Sequence, residues 1–279
     1  MNAPLLQVSN LDVSYPVKGW RRPDFQALHD VSLTIAQGET VGLVGESGSG
    51  KTTLGRAILG LAPASRGSIA FEGREITRLP RSERRALSKD IQVIFQDPYS
   101  SLNPAMTVAD ILAEPLSAGG ESRADSHRRV RELLDRVGLP ADAARRLPRE
   151  FSGGQRQRIA IARALARGPK LIVCDEVVSA LDLTTQARVL DLLIELQETT
   201  GVAYLFISHD LSVVRHISHR VAVMPRGRII EEGDAEAVTS TPTQPYTQRL
   251  LLASPVADPA EQAARRRHYD SLPPIVVEK

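Results

Sequence analysis

The sequence predicts an α/β fold built around a parallel β-sheet. Four short apolar runs, rich in β-branched residues, are typical of strands that are buried on both faces. The runs are Val41–Val44, Ile91–Phe95, Leu171–Cys174 and Val202–Ile207. Segments with helical spacing of apolar residues lie between them, most clearly in Thr184–Glu198. This alternation of strand and helix favours a parallel sheet.

The remaining elements predict two additions to this sheet. Runs at Leu5–Ser9, Val31–Ile35 and Ser68–Phe71 indicate an antiparallel accessory sheet. Helical patterns at Val108–Leu116 and Arg123–Val137 indicate a helical subdomain inserted at about 97–166. After Gly233 the chain turns Pro- and Thr-rich and then Arg-rich, which predicts a C-terminal extension of limited order. Trp20 and the basic residues Arg21 and Arg22 are typical of an exposed hairpin tip. A contact of this loop with a partner is the alternative.

Composition excludes several classes of protein. The 279 residues contain one cysteine, Cys174, which excludes an internal disulfide and a four-cysteine metal site, and its apolar surroundings indicate core packing. No apolar run approaches the ~18–20 residues that cross a bilayer, and the N-terminus lacks a signal-peptide pattern, so we expect a cytosolic chain. The net charge of +2, with basic and acidic residues interspersed, argues against a nucleic-acid groove.

A glycine-rich loop between the first apolar run and a helix predicts a nucleoside triphosphate site. Its residues are Gly45, Glu46, Ser47, Gly48, Ser49, Gly50, Lys51 and Thr52, followed by Thr53 in the helix. The glycines allow backbone N–H groups to surround a β-phosphate. Lys51 can reach the β- and γ-phosphate oxygens, and the Thr52 hydroxyl can bind Mg²⁺. We therefore expect ATP and Mg²⁺ as ligands.

Polar residues follow each of the other predicted central strands. Ligands of open α/β sheets bind beyond the carboxyl ends of the strands, so we expect these groups to meet at one nucleotide. Asp175 is placed to bind Mg²⁺ through water, and Glu176 to act as the general base for water attack. Gln96 could contact the metal or the water, and His209 could donate to the γ-phosphate. For Asp175 and Glu176 the alternative is that they cap a helix. For His209 the alternative is a structural role.

The segment Phe151–Gln155 opens a predicted helix with small residues. Ser152, Gly153, Gly154 and Gln155 could form an anion site at the helix N-terminus. A capped helix without a ligand is an equal alternative, because serine is a good N-cap residue.

Taken together, these motifs resemble those of the ATP-binding subunits of ABC transporters, over about 5–255. Phe151–Gln155 is similar to the signature sequence, Leu171–Glu176 to the Walker B strand with the catalytic glutamate, and Ser179–Asp182 to the D-loop. The resemblance implies nucleotide contacts for Asp182, and adenine stacking for Tyr15. It also implies a P-loop NTPase fold of ABC type, with a RecA-like core, the antiparallel sheet and the helical subdomain. The expected boundaries are 1–234 for the ATPase domain and 235–279 for the extension.

Two segments resemble one branch of that family, the dipeptide, oligopeptide and nickel importers. They are Phe95–Pro104 and Gln244–Leu251, the second departing from the branch pattern with glutamine where histidine is usual. The resemblance therefore implies an ATPase subunit that energises peptide import. A nickel or other small-solute importer, a soluble ABC ATPase and a regulatory subunit that binds ATP without hydrolysis remain alternatives.

The resemblance also implies partners. Two such domains pack head to tail, so Ser152–Gln155 would serve the nucleotide of a second ABC ATPase subunit, and a heterodimer is favoured. Two membrane permease subunits and an extracytoplasmic solute-binding protein complete the expected complex. The chain would then lie at the cytoplasmic face of the inner membrane as a peripheral subunit.

Overall fold

The computed structural model describes residues 3–17, 19, 24–97 and 101–253, together with 258, 262, 263, 265–267 and 269. The chain forms two compact units. The first unit contains 1–35, 39–78 and 206–279, and the second contains 36–38 and 79–205. The predicted hairpin tip at Trp20 and residues 98–100 of the branch-specific segment lie outside the described residues.

The first unit contains the predicted antiparallel sheet. Its strands, in the order β2-β1-β4-β5, are β1 (Leu6–Tyr15), β2 (Phe25–Ile35), β4 (Ala64–Phe71) and β5 (Arg74–Glu75). Leu6 and Val8 are buried on one face of β1, and Leu11 and Val13 continue the buried row after a shift of register. Asn10 lies at this shift with φ 49°, a left-handed conformation that suits a β-bulge.

The first unit also carries the strand that precedes the phosphate loop. β3 (Thr40–Val44) is buried throughout and pairs in parallel with β9 (Arg220–Val223), which pairs antiparallel with β10 (Glu231–Asp234). The helices of this unit are α1 (Lys51–Ile58), α7 (Leu211–Ile217), α8 (Ala235–Ser240) and α9 (Pro245–Ala253). β9 and β10 are short, and the sequence analysis did not predict them.

The second unit combines two parallel strands with most of the helices. β6 (Ile91–Ile94) pairs in parallel with β7 (Leu171–Asp175). The helices are α2 (Arg81–Leu87), α3 (Val108–Ala118), α4 (Arg123–Arg136), α5 (Gly153–Leu165) and α6 (Leu183–Thr200). Short 3₁₀ turns occupy Ala141–Arg145 and Pro148–Glu150, and β8 (Ala203–Ser208) begins in this unit and ends in the first.

Side-chain caps explain where the helices of the second unit begin. Thr107 caps α3 by accepting from the Asp110 N–H, and Ser122 caps α4 by accepting from the Asp125 N–H. α6 ends at Gly201, whose φ of 70° is the left-handed conformation common after helices. These helices begin and end within two residues of the predicted bounds because caps are local signals.

Three of the four predicted apolar runs, those in β3, β7 and β8, are buried as expected. The prediction for Ile91–Phe95 is wrong in part, because β6 is buried only at Ile91 and Ile94 and Phe95 is 39% exposed. Cys174 is 0% exposed, which confirms its prediction as a core residue, and burial raises the pKa of its thiol. Among the described residues, no helix is both long and apolar enough to span a bilayer. Within 235–253, the described first part of the extension, α8 and α9 form regular structure that the sequence did not predict, and Tyr246 and Thr247 are buried.

Candidate functional site

The phosphate loop lies between β3 and α1 and depends on glycine in two ways. A side chain at Gly45 would place its Cβ 2.2 Å from the Met224 carbonyl oxygen, so this position has no room for one. Gly48 and Gly50 have φ values of 79° and 102°, a region that glycine adopts without strain. The loop is therefore shaped by close packing at its start and by left-handed backbone further on.

Lys51 is buried within this loop at 4% exposure. Its Nζ donates to the Gly45 carbonyl at 2.7 Å and to the Glu46 carbonyl at 2.8 Å, and lies 3.4 Å from the Ser49 Oγ. The ammonium thus lies along the inner side of the loop.

The first turn of α1 supplies backbone N–H groups beside Lys51. The first helical bond runs from the Leu54 N–H to the Gly50 carbonyl, so the N–H groups of 51–53 precede the helical ladder. The Thr52 and Thr53 side chains are half-buried in the same turn. A helix N-terminus behind a glycine loop attracts anions, and this loop can bind phosphate.

Contacts from the last third of the chain fix the loop at two points. The Gly227 N–H donates to the Ser49 carbonyl at 2.7 Å. The Glu46 N–H donates to the Tyr246 hydroxyl at 3.1 Å. Ser47 and Gly48 between them are exposed. From the sequence, Tyr246 is predicted only to lie in the branch-specific segment Gln244–Leu251, and its contact with the loop is not predicted.

Two further predicted residues lie in the first unit. Tyr15 is the last residue of β1, is half-buried and pairs with Phe25 of β2. Phe25 is 61% exposed, so the end of this strand pair presents aromatic surface. His209 is exposed directly after β8 and before Asp210, which caps α7.

The second unit brings Gln96 and Glu176 together. The Gln96 Nε2 donates to the Glu176 Oε2 at 3.1 Å and to the Ser179 Oγ at 3.4 Å. Ser179 in turn donates to the Glu176 carbonyl from its Oγ at 3.0 Å and its N–H at 3.2 Å. Glu176 has φ 51°, unusual for a residue other than glycine. Asp175 ends β7 and is half-buried. The carboxylate of Glu176 is thus held by neighbours on a strained turn.

The signature segment is a capped helix start with a cavity beside it. The Ser152 Oγ accepts from the Gln155 N–H at 3.3 Å, and the Gln155 Oε1 accepts from the Ser152 N–H at 3.0 Å. This reciprocal arrangement is a capping box. Ser152, Gly154 and Gln155 line a cavity of about 430 Å³ together with the basic residues Arg158 and Arg188. The structure therefore contains the helix cap that was the alternative to an anion site. It also contains an open cavity beside that cap.

Asp182 caps α6 and positions Thr185. It accepts from the Thr185 N–H at 2.9 Å and from the Thr185 hydroxyl at 2.7 Å. These bonds lower the pKa of Asp182. The Thr185 methyl faces Gly154, where a Cβ would lie only 2.2 Å from it. Gly153 would have ordinary contacts, so the second glycine of the signature is required by packing.

The residues expected to bind Mg²⁺ carry oxygen donors. Such donors suit an ion that also keeps water molecules and nucleotide phosphates as ligands. Thr52, in the first unit, carries a hydroxyl. Gln96 and Asp175, in the second unit, carry an amide oxygen and a carboxylate. Across the part of the chain that the structure describes, no three His, Cys, Asp or Glu side chains form a metal cluster. Magnesium commonly binds one or two carboxylates plus substrate phosphates, so the donor chemistry of each of these residues suits the ion.

Comparison with known proteins identifies the family. The ABC transporter family profile matches residues 28–179. The chain is 53% identical over 239 residues to an "Oligopeptide transport ATP-binding protein OppD" of Mycobacterium tuberculosis, covering 86% of this chain and 39% of that protein. It is 50% identical over 268 residues to a "Glutathione import ATP-binding protein GsiA" of Escherichia coli, covering 94% of this chain and 43% of that protein. The chain thus spans about two fifths of the length of these relatives.

Solved structures agree with this assignment. The cbiO1 protein of Clostridium perfringens, part of the ABC transporter complex cbiONQ, matches with a TM-score of 0.77 at 27% identity, covering 86% of this chain and 92% of that one. A dimeric ATP-binding cassette in a post-hydrolysis state, bound to ADP and Pi, matches with a TM-score of 0.73 at 30% identity, covering 82% of this chain and 98% of that one. The predicted fold class is confirmed, and the chain belongs to the ABC transporter family.

Proposed function

We propose that this chain binds MgATP and hydrolyses it as one ATPase subunit of an ABC importer for peptides. The phosphate loop carries the proposal, because its glycines, its helix N-terminus and the inward-facing Lys51 form a site for a β-phosphate. The peptide cargo is supported by the 53% identity to a protein named for oligopeptide transport.

Each predicted site residue has a role in the proposal. The phosphates are bound by the loop from Gly45 to Thr53, through the Lys51 ammonium and through backbone N–H groups other than that of Glu46, which is bound to Tyr246. Tyr15 stacks on the adenine. The Mg²⁺ ion, when bound, neutralises charge on the phosphates, and Thr52, Gln96 and Asp175 hold it directly or through water. Asp182 contributes by fixing the loop before α6.

Hydrolysis is assigned to Glu176 as the general base. Its carboxylate accepts a hydrogen bond from Gln96, which fixes one oxygen and orients the group for a water molecule. His209 is assigned to donate a hydrogen bond to the γ-phosphate, and its exposure after β8 leaves it accessible to a ligand. Glu176, Gln96 and His209 each follow a predicted strand. Because ligands of α/β sheets bind at the carboxyl ends of strands, we assign these three residues to one nucleotide.

Ser152–Gln155 are assigned to the nucleotide of a second subunit. Their position at the start of α5, beside a cavity of about 430 Å³ with two arginines, suits an anion supplied from outside the chain. The dimeric cassette bound to ADP and Pi supports the dimer. We propose a heterodimer with a second ABC ATPase, bound to two permease subunits at the cytoplasmic face of the inner membrane and served by a solute-binding protein.

The hydrolysis proposal is tested with Glu176→Gln. We expect phosphate release from MgATP to fall about 10²–10⁴-fold, the usual contribution of general base catalysis, while MgATP binding persists. Glu132→Gln is the matched control, because Glu132 is exposed on α4 and the same loss of charge there should leave hydrolysis unchanged. Equal rates for Glu176→Gln and wild type would exclude Glu176 as the base.

The import proposal is tested in cells that carry the Glu176→Gln chain in place of the natural one. We expect uptake of a labelled tripeptide to be lost and the purified chain to bring two permease subunits and a second ATPase with it. Glutathione is the second candidate cargo, because relatives named for glutathione import are 49–50% identical to this chain. Loss of glutathione or nickel uptake with normal peptide uptake would replace the proposed cargo.

A further inference from the structure

The C-terminal helix α9 reaches the phosphate loop through one buried tyrosine. The Tyr246 hydroxyl oxygen accepts the Glu46 N–H at 3.1 Å, across 200 positions of sequence. Tyr246 is 7% exposed, and burial raises its pKa. The hydroxyl therefore stays neutral at physiological pH and remains an acceptor fixed in one place.

The peptide group that receives this contact is also bound to Lys51. The carbonyl of Glu46 accepts from the Lys51 Nζ at 2.8 Å and from the Ser49 N–H at 3.2 Å. The Glu46 peptide is thus one of the groups that position the Lys51 ammonium and shape the loop before nucleotide arrives.

A carboxylate anchors α9 at its N-terminus. Glu231 on β10 accepts from the Thr243 N–H at 2.6 Å, from the Thr243 hydroxyl at 2.7 Å and from the Gln244 N–H at 3.3 Å. Burial raises the pKa of Glu231, but the hydrogen bonds outweigh it and the pKa lies below its ordinary value. Glu231 therefore holds the turn that precedes Tyr246 as a charged group.

Both ends of the contact rest on the same three strands. Glu231 lies opposite Val223 of β9, and Val223 lies opposite Val44 of β3, the residue before the phosphate loop. The phosphate loop is therefore connected to α9 in two ways. One connection runs through β3, β9, β10 and Glu231, and the other is the hydrogen bond to Tyr246, so the contacts form a closed ring. Such a ring resists movement of the Glu46 backbone more than a contact from an isolated helix would.

We propose that Tyr246 is a positioning residue for the phosphate loop and that α9 thereby raises the affinity for nucleotide. The hydroxyl holds the Glu46 peptide in the conformation that the loop keeps before binding, so less order has to be created when phosphate enters. The proposal rests on the proposed function in taking MgATP as the ligand. It adds a role for the C-terminal extension at the nucleotide site.

The test is Tyr246→Phe, which removes the hydroxyl and keeps the ring. Loss of one hydrogen bond of ordinary strength predicts an increase of about two- to tenfold in the Kd for MgADP by calorimetry and in the KM for MgATP. The kcat should stay unchanged, because Tyr246 acts through the loop and contacts no reacting atom. A merely structural role would not separate KM from kcat in this way.

Tyr204→Phe is the matched control. Its hydroxyl is buried and donates to the Leu193 carbonyl at 3.2 Å in the second unit, so the same atom is removed from a site without a phosphate loop. We expect lower stability and an unchanged Kd. Glu231→Gln is a second variant, which weakens the anchor of α9 and should raise the Kd by a smaller factor.

Hydrogen exchange without nucleotide supplies an independent readout. Protection of the Glu46 amide should fall in Tyr246→Phe and stay at the wild-type level in Tyr204→Phe. Unchanged exchange and Kd in Tyr246→Phe, or equal increases in Kd in both variants, would overturn the proposal. A wild-type chain that binds neither MgADP nor MgATP would instead overturn the proposed function and, with it, the role in affinity.

Discussion

Replacing Gly154 by alanine should destabilise the second unit, because the new methyl has no space at the start of α5. Its Cβ would lie 2.2 Å from the Thr185 Cγ2, far inside the contact distance of two carbons. Turning the Thr185 side chain away would break the 2.7 Å bond between its hydroxyl and Asp182. Either the two helices separate or this hydroxyl bond is lost.

Two effects set the magnitude. Overpacking of this kind lowers the free energy of unfolding by about 1–3 kcal/mol. Gly154 is helical, so alanine regains about 0.5–1 kcal/mol of helix propensity. The net expectation is a loss of about 1–2 kcal/mol, measured as a shift of the urea midpoint in far-UV circular dichroism.

A second substitution tests the steric reason. Thr185→Ser removes the methyl that faces Gly154 and keeps the hydroxyl that bonds Asp182. Gly154→Ala with Thr185→Ser should therefore recover most of the loss, with a coupling of about 1 kcal/mol or more in the double-mutant cycle. Gly153→Ala is the control, because its Cβ would lie 3.7 Å from the nearest atom, a Leu181 methyl. Additive losses in the double variant would refute the steric explanation.

Other expectations follow from buried and charged groups. Cys174 should resist a thiol reagent in the folded protein and react once urea unfolds it, because it is 0% exposed and burial raises its pKa. The stabilisation that Glu231 gives should be complete above its ordinary pKa of 4.5 and be lost as pH falls through its lower folded pKa. The unfolding free energies of wild type and Glu231→Gln, measured in acid titrations, should therefore converge at low pH. Gly45→Ala should lower stability and nucleotide binding together, since its Cβ would meet the Met224 carbonyl at 2.2 Å; thermal unfolding and calorimetry with MgADP measure both.

Several elements were predictable because their signals are local. Most of the buried runs, the helices that begin at Val108 and Arg123, and the glycine loop before α1 are each predicted from a few neighbouring residues. The predicted core role of Cys174 is confirmed by its burial. The short strands β9 and β10 were missed because four residues give little periodicity, and α8 and α9 were missed because prolines and threonines around them suggested irregular structure.

The sequence by itself determined the fold class, the family and the order of the motifs, since hydrophobic period, capping residues and glycine spacing act over a few positions. Only the tertiary structure decided which distant groups touch. Gln96 reaches Glu176 across 80 positions, and Tyr246 reaches Glu46 across 200. These contacts depend on strand register and helix packing, which set positions to within a bond length and leave no mark in the spacing of residues along the chain.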